Sequence, residues 1–374
     1  MTRPQSPHRA WIEVDHGAIR HNLAAIRRLV AGAEIIGIVK ANAYGHGATA
    51  VARTLVDQSV ERLGVATVDE ALELRKAGIE APIVVLWGIG SQEAPVVAEA
   101  GLEVMVADAR AIELLDTVAG ERRIGVHLKI DTGLGRQGSE PEQATELASA
   151  IVRSRRLALA GTMSHLAVPG EDEAYTEVQL LRLARALDAM RSAGMDPGVV
   201  HVSATGGILA GGGPPADAVR PGLALYGMVP AWASARAGEL RPALSLKALP
   251  LRLFDLPAGE AIGYGLRFRT PRATRIATLG IGYGDGWPRL HANNGAVLVR
   301  GQRAPIVGAI SMDGLMVDIG GIAGVTYDDE FVLIGEQEGA RITADEVAGE
   351  RRTINYEVTT ALRGRLPRLH LGAD

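Results

Sequence analysis

The feature that most constrains the fold is an alternation of short apolar strands with helical patterns between about residue 35 and residue 223. Runs of β-branched and apolar residues predict eight strands, at 34–40, 62–66, 82–87, 103–106, 124–130, 157–163, 199–203 and 218–220. Eight strand-then-helix units in series predict an α/β fold with a (β/α)8 (TIM) barrel, although an open doubly wound sheet would give the same alternation.

The segments between these strands carry helix signals. Apolar residues recur with helical spacing between Ala48 and Val56. Thr67 and Glu70 form a capping-box pattern that opens the next helix, and Gly78 stands where the residue that ends it should be. Asp108 and Pro141 indicate two later helix starts.

After about residue 243 the pattern changes to strands punctuated by Gly and Pro, predicted at 245–254, 274–281, 296–299, 305–310, 315–319 and 330–334. We therefore predict a barrel domain over 1–240 and a mostly β domain over 241–374, with residues 1–14 able to pair with the second domain. A chain of 374 residues is long enough for a barrel of about 250 residues and a smaller partner.

Composition excludes several functional classes. The 39 basic and 43 acidic side chains give a net charge of −4 without a basic stripe, so we expect no nucleic-acid partner. The absence of cysteine excludes disulfides and thiolate chemistry, and the nine scattered histidines lack metal-ligand spacing, so we expect no metal. With no apolar leader and no run of 18 apolar residues, we predict a cytoplasmic protein with no membrane partner.

Lysine is rare in this chain, occurring only at positions 40, 76, 129 and 247. Arginine replaces lysine at most surface sites but cannot form an imine or act as a base, so each lysine is a candidate for chemistry. Lys40 ends the first predicted barrel strand, at the rim where barrels place their catalytic residues and where burial would lower its pKa. In isolation, however, a lysine in a Gly-rich segment is more typical of a solvated turn.

The string VKANAYGHG around Lys40 resembles the cofactor-lysine signature of the alanine racemase family. Seven further strings resemble the same family in the same order: HLKIDTGLGR at 127–136, MSH at 163–165, RPGLALYG at 220–227, GYG at 263–265, GYGDGWP at 282–288, SMD at 311–313 and INYE at 354–357. Each barrel string lies at the carboxyl end of a predicted strand, as the site geometry of this fold requires. The chain is thereby identified as a member of a family of pyridoxal 5′-phosphate-dependent isomerases.

The resemblance implies a cofactor site. Lys40 would bind pyridoxal phosphate covalently. The phosphate would lie against five residues: Tyr44, Thr205, Gly222, Leu223 and Tyr356. Barrels typically bind phosphate after strands seven and eight, in agreement with three of these positions. The chain departs from the family at Ala204 and Thr205, where an Asn-Ser pair is commoner.

Arg220 would face the pyridine nitrogen, with His201 orienting it. Arginine does not release a proton near neutral pH, so the substrate carbanion would be stabilised less than beside an acid. A short-lived carbanion favours racemisation over competing reactions.

Racemisation needs a base on each face of the substrate, and the resemblance assigns these roles to Lys40 and Tyr264. We expect a positive potential from His165 and Arg220 to help the Tyr264 phenol ionise. In the family this tyrosine comes from the partner subunit, which implies a homodimer with shared active sites. The residues that the resemblance places at the substrate are Arg136, Tyr283, Met312 and Asp313.

Lys129 is predicted to point to the same side of its strand as His127 and Asp131, with Arg136 in the following loop. A buried ammonium beside a guanidinium is unfavourable. An ion pair with Asp131 would relieve it. The resemblance implies another possibility, N6-carboxylysine, whose negative charge would hold Arg136.

We therefore predict an alanine racemase that interconverts L-alanine and D-alanine and supplies D-alanine for peptidoglycan synthesis. A racemase of broader or serine specificity is the main alternative, because an apolar pocket rejects an added hydroxyl only weakly. A decarboxylase of the same architecture would be expected to carry an acid in place of Arg220 and a reactive cysteine. A non-catalytic carrier of the cofactor would need only the barrel.

Overall fold

A computed structural model of the chain describes residues 8–30, 32–120, 123–211 and 216–373. The chain divides into two compact units. One is Ala18–Arg241; the other runs from Pro242 onward and includes the described residues up to Gly17. The second unit therefore contains β1 (Ala10–Asp15), the first strand of the chain described.

The first unit contains a closed barrel of eight parallel strands, which confirms the predicted fold class. The strands are β2 (Glu34–Ile38), β3 (Arg62–Val65), β4 (Ile83–Val85), β5 (Glu103–Val106), β6 (Ile124–Lys129), β7 (Leu157–Met163), β8 (Val199–Ala204) and β9 (Ala218–Arg220). Neighbours follow sequence order, and β9 closes on β2 through the pairs Glu34 with Ala218 and Ile35 with Val219. This closure excludes the open doubly wound sheet.

The helices of the two units are α1 (His16–Leu29), α2 (Lys40–Tyr44), α3 (Ala48–Asp57), α4 (Val68–Lys76), α5 (Ala94–Glu99), α6 (Ala109–Val118), α7 (Ala144–Arg153), α8 (Glu173–Ser192), α9 (Thr205–Ala210), α10 (Ala344–Arg351) and α11 (Asn355–Thr360). The capping box at Thr67 is present and Gly78, with φ of +82°, follows the end of α4. Asp108 caps α6, whereas Pro141 opens a 3₁₀ turn that leads into α7. No helix within the described ranges is long and apolar enough to cross a membrane.

The second unit is mostly β, as predicted. Its further strands are β10 (Leu244–Ala248), β11 (Pro250–Leu256), β12 (Ala261–Ile262), β13 (Phe268–Arg269), β14 (Thr274–Leu279), β15 (Ala296–Val299), β16 (Gln302–Val307), β17 (Leu315–Asp318), β18 (Phe331–Gln337), β19 (Ala340–Ile342) and β20 (Arg368–Leu371). A ten-stranded sheet runs in the order β11-β14-β17-β16-β15-β18-β10-β1-β20, with β19 paired to β18; β12 and β13 form a separate pair.

The predicted single strand 245–254 is wrong, because the chain changes neighbours within it. Ala248 of β10 pairs with Ala10 and Phe331, whereas Pro250 of β11 pairs with Leu279. Pro250 has no N–H to donate, and the first position of a strand tolerates that loss.

Candidate active site

Most of the site residues predicted in the barrel lie at the carboxyl ends of its strands, whereas His201 lies within β8. Lys40 follows β2, Lys129 ends β6, His165 follows β7, Thr205 follows β8 and Arg220 ends β9. Because the strands are parallel, these ends share one rim of the barrel, where such folds place their catalytic groups.

Lys40 opens a turn of unusual backbone conformation. Residues 41–44 all have positive φ, between +51° and +54°, although none of them is glycine. Left-handed backbone costs roughly 1–2 kcal/mol for each non-glycine residue, so the surrounding structure must hold this turn in place. Glu70 contributes to that, because its carboxylate accepts a 2.6 Å hydrogen bond from the N–H of Ala41.

The amine of Lys40 is half-buried and lies in a positive field. Burial lowers its pKa first, the charges of Arg136 and Arg220 lower it further, and Glu70 opposes them. A lowered pKa increases the fraction of neutral amine, which is the form that can act as a nucleophile or a base.

The buried guanidinium of Arg220 is almost fully committed to protein acceptors. Its Nη1 donates to the ring Nδ1 and to the carbonyl of His201, both at 2.7 Å. Its Nη2 donates to the carbonyls of Ser164 and Val202 and lies 3.2 Å from Nδ1 of His165. Within the part of the chain that the structure describes, only the Nε–H is left without a protein acceptor, and no acid forms an ion pair with this guanidinium.

The contact expected between His201 and Arg220 is therefore present. His165 and His201, the two histidines that contact the guanidinium, are neutral. Burial, reinforced by Arg220 and Arg136, lowers the pKa of His165 to about 3. Burial and Arg220 likewise hold the pKa of His201 well below its usual value. Burial lowers the pKa of Arg220 itself to about 9, which leaves it charged at neutral pH. The expectation that His165 contributes positive charge is thus wrong, and Arg220 supplies it.

Lys129 is 3% exposed and forms no ion pair with any described residue. The alternative of a pair with Asp131 is not formed, because that carboxylate instead accepts the backbone N–H groups of residues 133–136 at 2.9–3.2 Å. Burial and the charges of Arg136 and Arg220 lower the pKa of Lys129 to about 8. The Arg136 guanidinium lies over the ring of Trp87, 5.2 Å from its centroid.

The predicted phosphate side of the site is built from two adjacent strand ends. The Thr205 hydroxyl accepts from the N–H groups of Gly222 and Ala224 at 3.3 and 3.2 Å. Leu223 is buried at the start of the 3₁₀ turn that follows Gly222. A Cβ at position 222 would lie 2.6 Å from the Tyr44 hydroxyl, so only glycine allows that hydroxyl to approach the backbone here.

The remaining predicted site residues belong to the second unit: Tyr264, Tyr283, Met312, Asp313 and Tyr356. Tyr264 is 75% exposed and Met312 51% exposed, which is uncommon for side chains of this size. Asp313 is held by Arg365, whose Nη2 lies 2.6 Å from the carboxylate. Burial raises the pKa of Tyr356, in α11.

Comparison with known proteins decides the family. The model of "Alanine racemase, N-terminal domain" matches residues 14–230, and that of "Alanine racemase, C-terminal domain" matches residues 243–370. The chain belongs to the alanine racemase family.

Relatives of this racemase match it over nearly their whole length. The alanine racemase of Symbiobacterium thermophilum is 39% identical over 97% of both chains, and that of Sorangium cellulosum is 38% identical over 97% of this chain and 99% of its own. The alanine racemase structure from Streptomyces lavendulae is 34% identical, with a TM-score of 0.91 over 98% of both chains. That from Bacillus anthracis with bound L-Ala-P is also 34% identical, with a TM-score of 0.92 over 98% of this chain and 96% of its own.

Sequence reasoning missed three contacts in the barrel, two of them at the carboxyl rim and one, from Glu103, at the start of β5. Glu70 was visible as a capping residue, but its bond to the turn after Lys40 was not. Trp87 ends a predicted strand, but neither the exposure of its ring nor its contact with Arg136 could be read from the sequence. Glu103 accepts from the buried His127 at 3.0 Å, and a single acid at a strand start gave no signal of that contact.

Proposed function

We propose that this racemase interconverts L-alanine and D-alanine with pyridoxal 5′-phosphate and two bases. The observation that carries the proposal is the environment of Arg220. It is a buried, charged guanidinium at the barrel rim, beside Lys40, and one of its N–H groups has no acceptor among the described residues. When bound, pyridoxal phosphate withdraws electrons from the substrate Cα and makes its proton acidic.

The residues present fit that cofactor. Lys40 offers an amine of lowered pKa for covalent attachment, and the close approach of the Tyr44 hydroxyl to Gly222 forms a cradle that a larger side chain would fill. Thr205, Leu223 and Tyr356 would complete the phosphate site.

Arg220 would present its Nε–H to the pyridine nitrogen. Because its pKa stays above neutrality, it donates a hydrogen bond there without giving up the proton. His201 and the three carbonyls on its Nη atoms fix the direction of that donor.

Lys40 and Tyr264 would remove and return the Cα proton on opposite faces of the substrate. We propose that Tyr264 acts in the site of a partner subunit of a homodimer, together with Tyr283, Met312 and Asp313. The exposure of Tyr264 and Met312 supports this, since these side chains are left available to a second chain. Arg136 would bind the substrate carboxylate.

We also propose that Lys129 is carboxylated. The ammonium first loses a proton to solvent, and the neutral amine then attacks carbon dioxide. An N–C bond forms as one C–O π bond opens, and a second proton leaves the nitrogen, so overall a cation becomes an anion. The burial of Lys129, the lack of a counter-ion for it among the described residues, and its pKa of about 8 all favour this change. The carboxylate would accept the Arg136 guanidinium in a bidentate pair.

We propose that this enzyme acts in the cytoplasm and supplies D-alanine for peptidoglycan. We also propose domains at 1–240 and 241–374, with residues 1–14 paired with the second domain. The test incubates purified protein and pyridoxal phosphate with L-alanine, L-serine and L-lysine, and follows optical rotation and carbon dioxide release. We expect full loss of rotation with alanine, a rate for serine lower by roughly a hundredfold, and no carbon dioxide.

One control variant and two contrary outcomes make this test decisive. Lys40→Ala should abolish both racemisation and the borohydride-dependent attachment of pyridoxyl to the protein. Comparable rates for serine would establish the broader specificity instead, and carbon dioxide from lysine would overturn the racemase assignment.

A further inference from the structure

A chain of buried polar side chains crosses the barrel interior below Arg220. Nδ1 of His201 lies 2.7 Å from Arg220 Nη1, Nε2 of His201 lies 2.9 Å from Nδ1 of His127, and Nε2 of His127 lies 3.0 Å from the Glu103 carboxylate. Both histidines are 0% exposed. The proposed function uses only the Arg220 end of this chain.

The donors and acceptors allow these hydrogen bonds to run in only one direction, from Arg220 towards Glu103. A guanidinium can only donate, so Nδ1 of His201 must accept and its proton must lie on Nε2. That proton is donated to Nδ1 of His127, whose own proton therefore lies on Nε2 and is donated to Glu103. The Arg220 donor at one end and the Glu103 acceptor at the other therefore require the same pair of tautomers.

Irregular strand register and a glycine make room in the barrel for this hydrogen-bond chain. The strand register shifts between Val126 and His127 on β6, and between His201 and Ala204 on β8. Such irregularities redirect side chains. A Cβ on Gly161 of β7 would lie 2.6 Å from Nδ1 of His127, so the absence of a side chain there leaves room for the ring.

The hydrogen-bond chain ends at Glu103, at the opposite rim of the barrel. Glu103 begins β5, and the guanidinium of Arg62, at the start of β3, bridges it to Glu34 at the start of β2. Burial opposes the ionisation of Glu103, but hydrogen bonds from His127 and Arg62 outweigh it and lower its pKa. The terminal acceptor is therefore a carboxylate.

We propose that Glu103 is a positioning residue for Arg220, acting through His127 and His201. By accepting the His127 proton it keeps Nδ1 of His201 unprotonated, and so keeps the guanidinium aimed in one direction. The direction of the hydrogen-bond chain follows from its donors and acceptors alone. Its effect on the cofactor rests on the proposed function.

The test compares two leucine variants in the full chain loaded with pyridoxal phosphate. Glu103→Leu removes the last acceptor of the hydrogen-bond chain. Glu34→Leu removes the other carboxylate that pairs with Arg62 and leaves the hydrogen-bond chain intact. With ¹⁵N-labelled histidine, we expect the wild type and Glu34→Leu to show the Nε2–H tautomer for His127 and His201. In Glu103→Leu a second tautomer should be populated, and the Kd for pyridoxal phosphate should rise about fivefold, as expected for one lost hydrogen bond.

A third variant covers a failure of Glu103→Leu to fold. Glu103→Gln keeps an acceptor oxygen without charge, so the tautomers should be retained while the His127 N–H resonance moves upfield. Unchanged histidine spectra in both Glu103 variants, or equal effects of Glu103→Leu and Glu34→Leu, would overturn the proposal. A wild type that shows these tautomers but no racemisation would instead remove the proposed function and leave the hydrogen-bond chain standing.

Discussion

Tyr264 carries one half of the proposed two-base reaction. Tyr264→Phe removes only the phenol, so Lys40 should still exchange the Cα proton of the enantiomer whose proton faces it. We assign Lys40 to D-alanine, and therefore expect exchange with deuterated water to persist far better for D-alanine than for L-alanine. The measurement is the initial rate of deuterium incorporation, and equal losses for both enantiomers would contradict the assignment.

Lys129 allows a second test that changes a single residue. Lys129→Ala removes the proposed carboxylate, which loosens Arg136 and should lower kcat/KM for alanine by roughly tenfold. Added acetate or chloride should restore part of the activity by occupying the vacated position, whereas Lys76→Ala should respond to neither. A structure at high resolution, from crystals grown with bicarbonate, that showed an unmodified Lys129 would disprove the carboxylation.

His291 makes stability depend on pH. It is fully buried, stacks on Trp287 and accepts a 2.8 Å hydrogen bond from Arg351. Burial and then Arg351 lower its pKa to about 4. Between about pH 6.5 and 4 the unfolded state therefore binds more protons than the folded state, so stability falls as pH falls.

We expect this histidine to account for part of that decline, reduced by the Glu350 carboxylate, which lies 3.1 Å from its Nδ1 and would bind the protonated ring. His291→Gln should thus flatten the decline of Tm between about pH 6.5 and 4 relative to the wild type. Equal slopes in the two proteins would mean that other groups control acid stability.

Among the elements, the left-handed turn of α2 makes the clearest prediction. Ala41 is exposed and has φ of +51°, so Ala41→Gly should relieve strain and raise stability by about 0.5–1 kcal/mol, after the entropy cost of glycine in the unfolded chain. Ala184, exposed in the middle of the right-handed α8, is the matched control, and Ala184→Gly should lower stability by about 1 kcal/mol. Urea unfolding measures both, and a loss at both positions would mean that the turn is not strained.

This turn also shows what the sequence could not reveal. The barrel strands and the motifs at their ends were predictable, because strand periodicity and strand order are local features. A left-handed turn in Ala-Asn-Ala-Tyr was not, since it is imposed by contacts such as the one from Glu70, distant in sequence. The same holds for the neutral His165, whose pKa is set by burial and by Arg220.

For the whole molecule, the proposed shared site predicts complementation. Lys40→Ala and Tyr264→Phe should each be inactive in racemisation, but a heterodimer of the two contains one site with both bases intact. Mixed and re-equilibrated chains should therefore regain activity, up to one site per heterodimer. If heterodimers are shown to form and stay inactive, each chain must build its own site.

The position of β1 bears on how the chain is made. Its neighbours in the sheet are β10, more than 200 residues later, and β20, which ends at Leu371. At about 5–20 residues per second, a ribosome needs roughly 20–70 s to reach β20 after completing β1. The barrel strands are all made before β10, and until β10 follows them the first strand has neither of its partners. A nascent chain stalled after the barrel should thus keep an unprotected, apolar strand at its start, where chaperones and proteases can reach it.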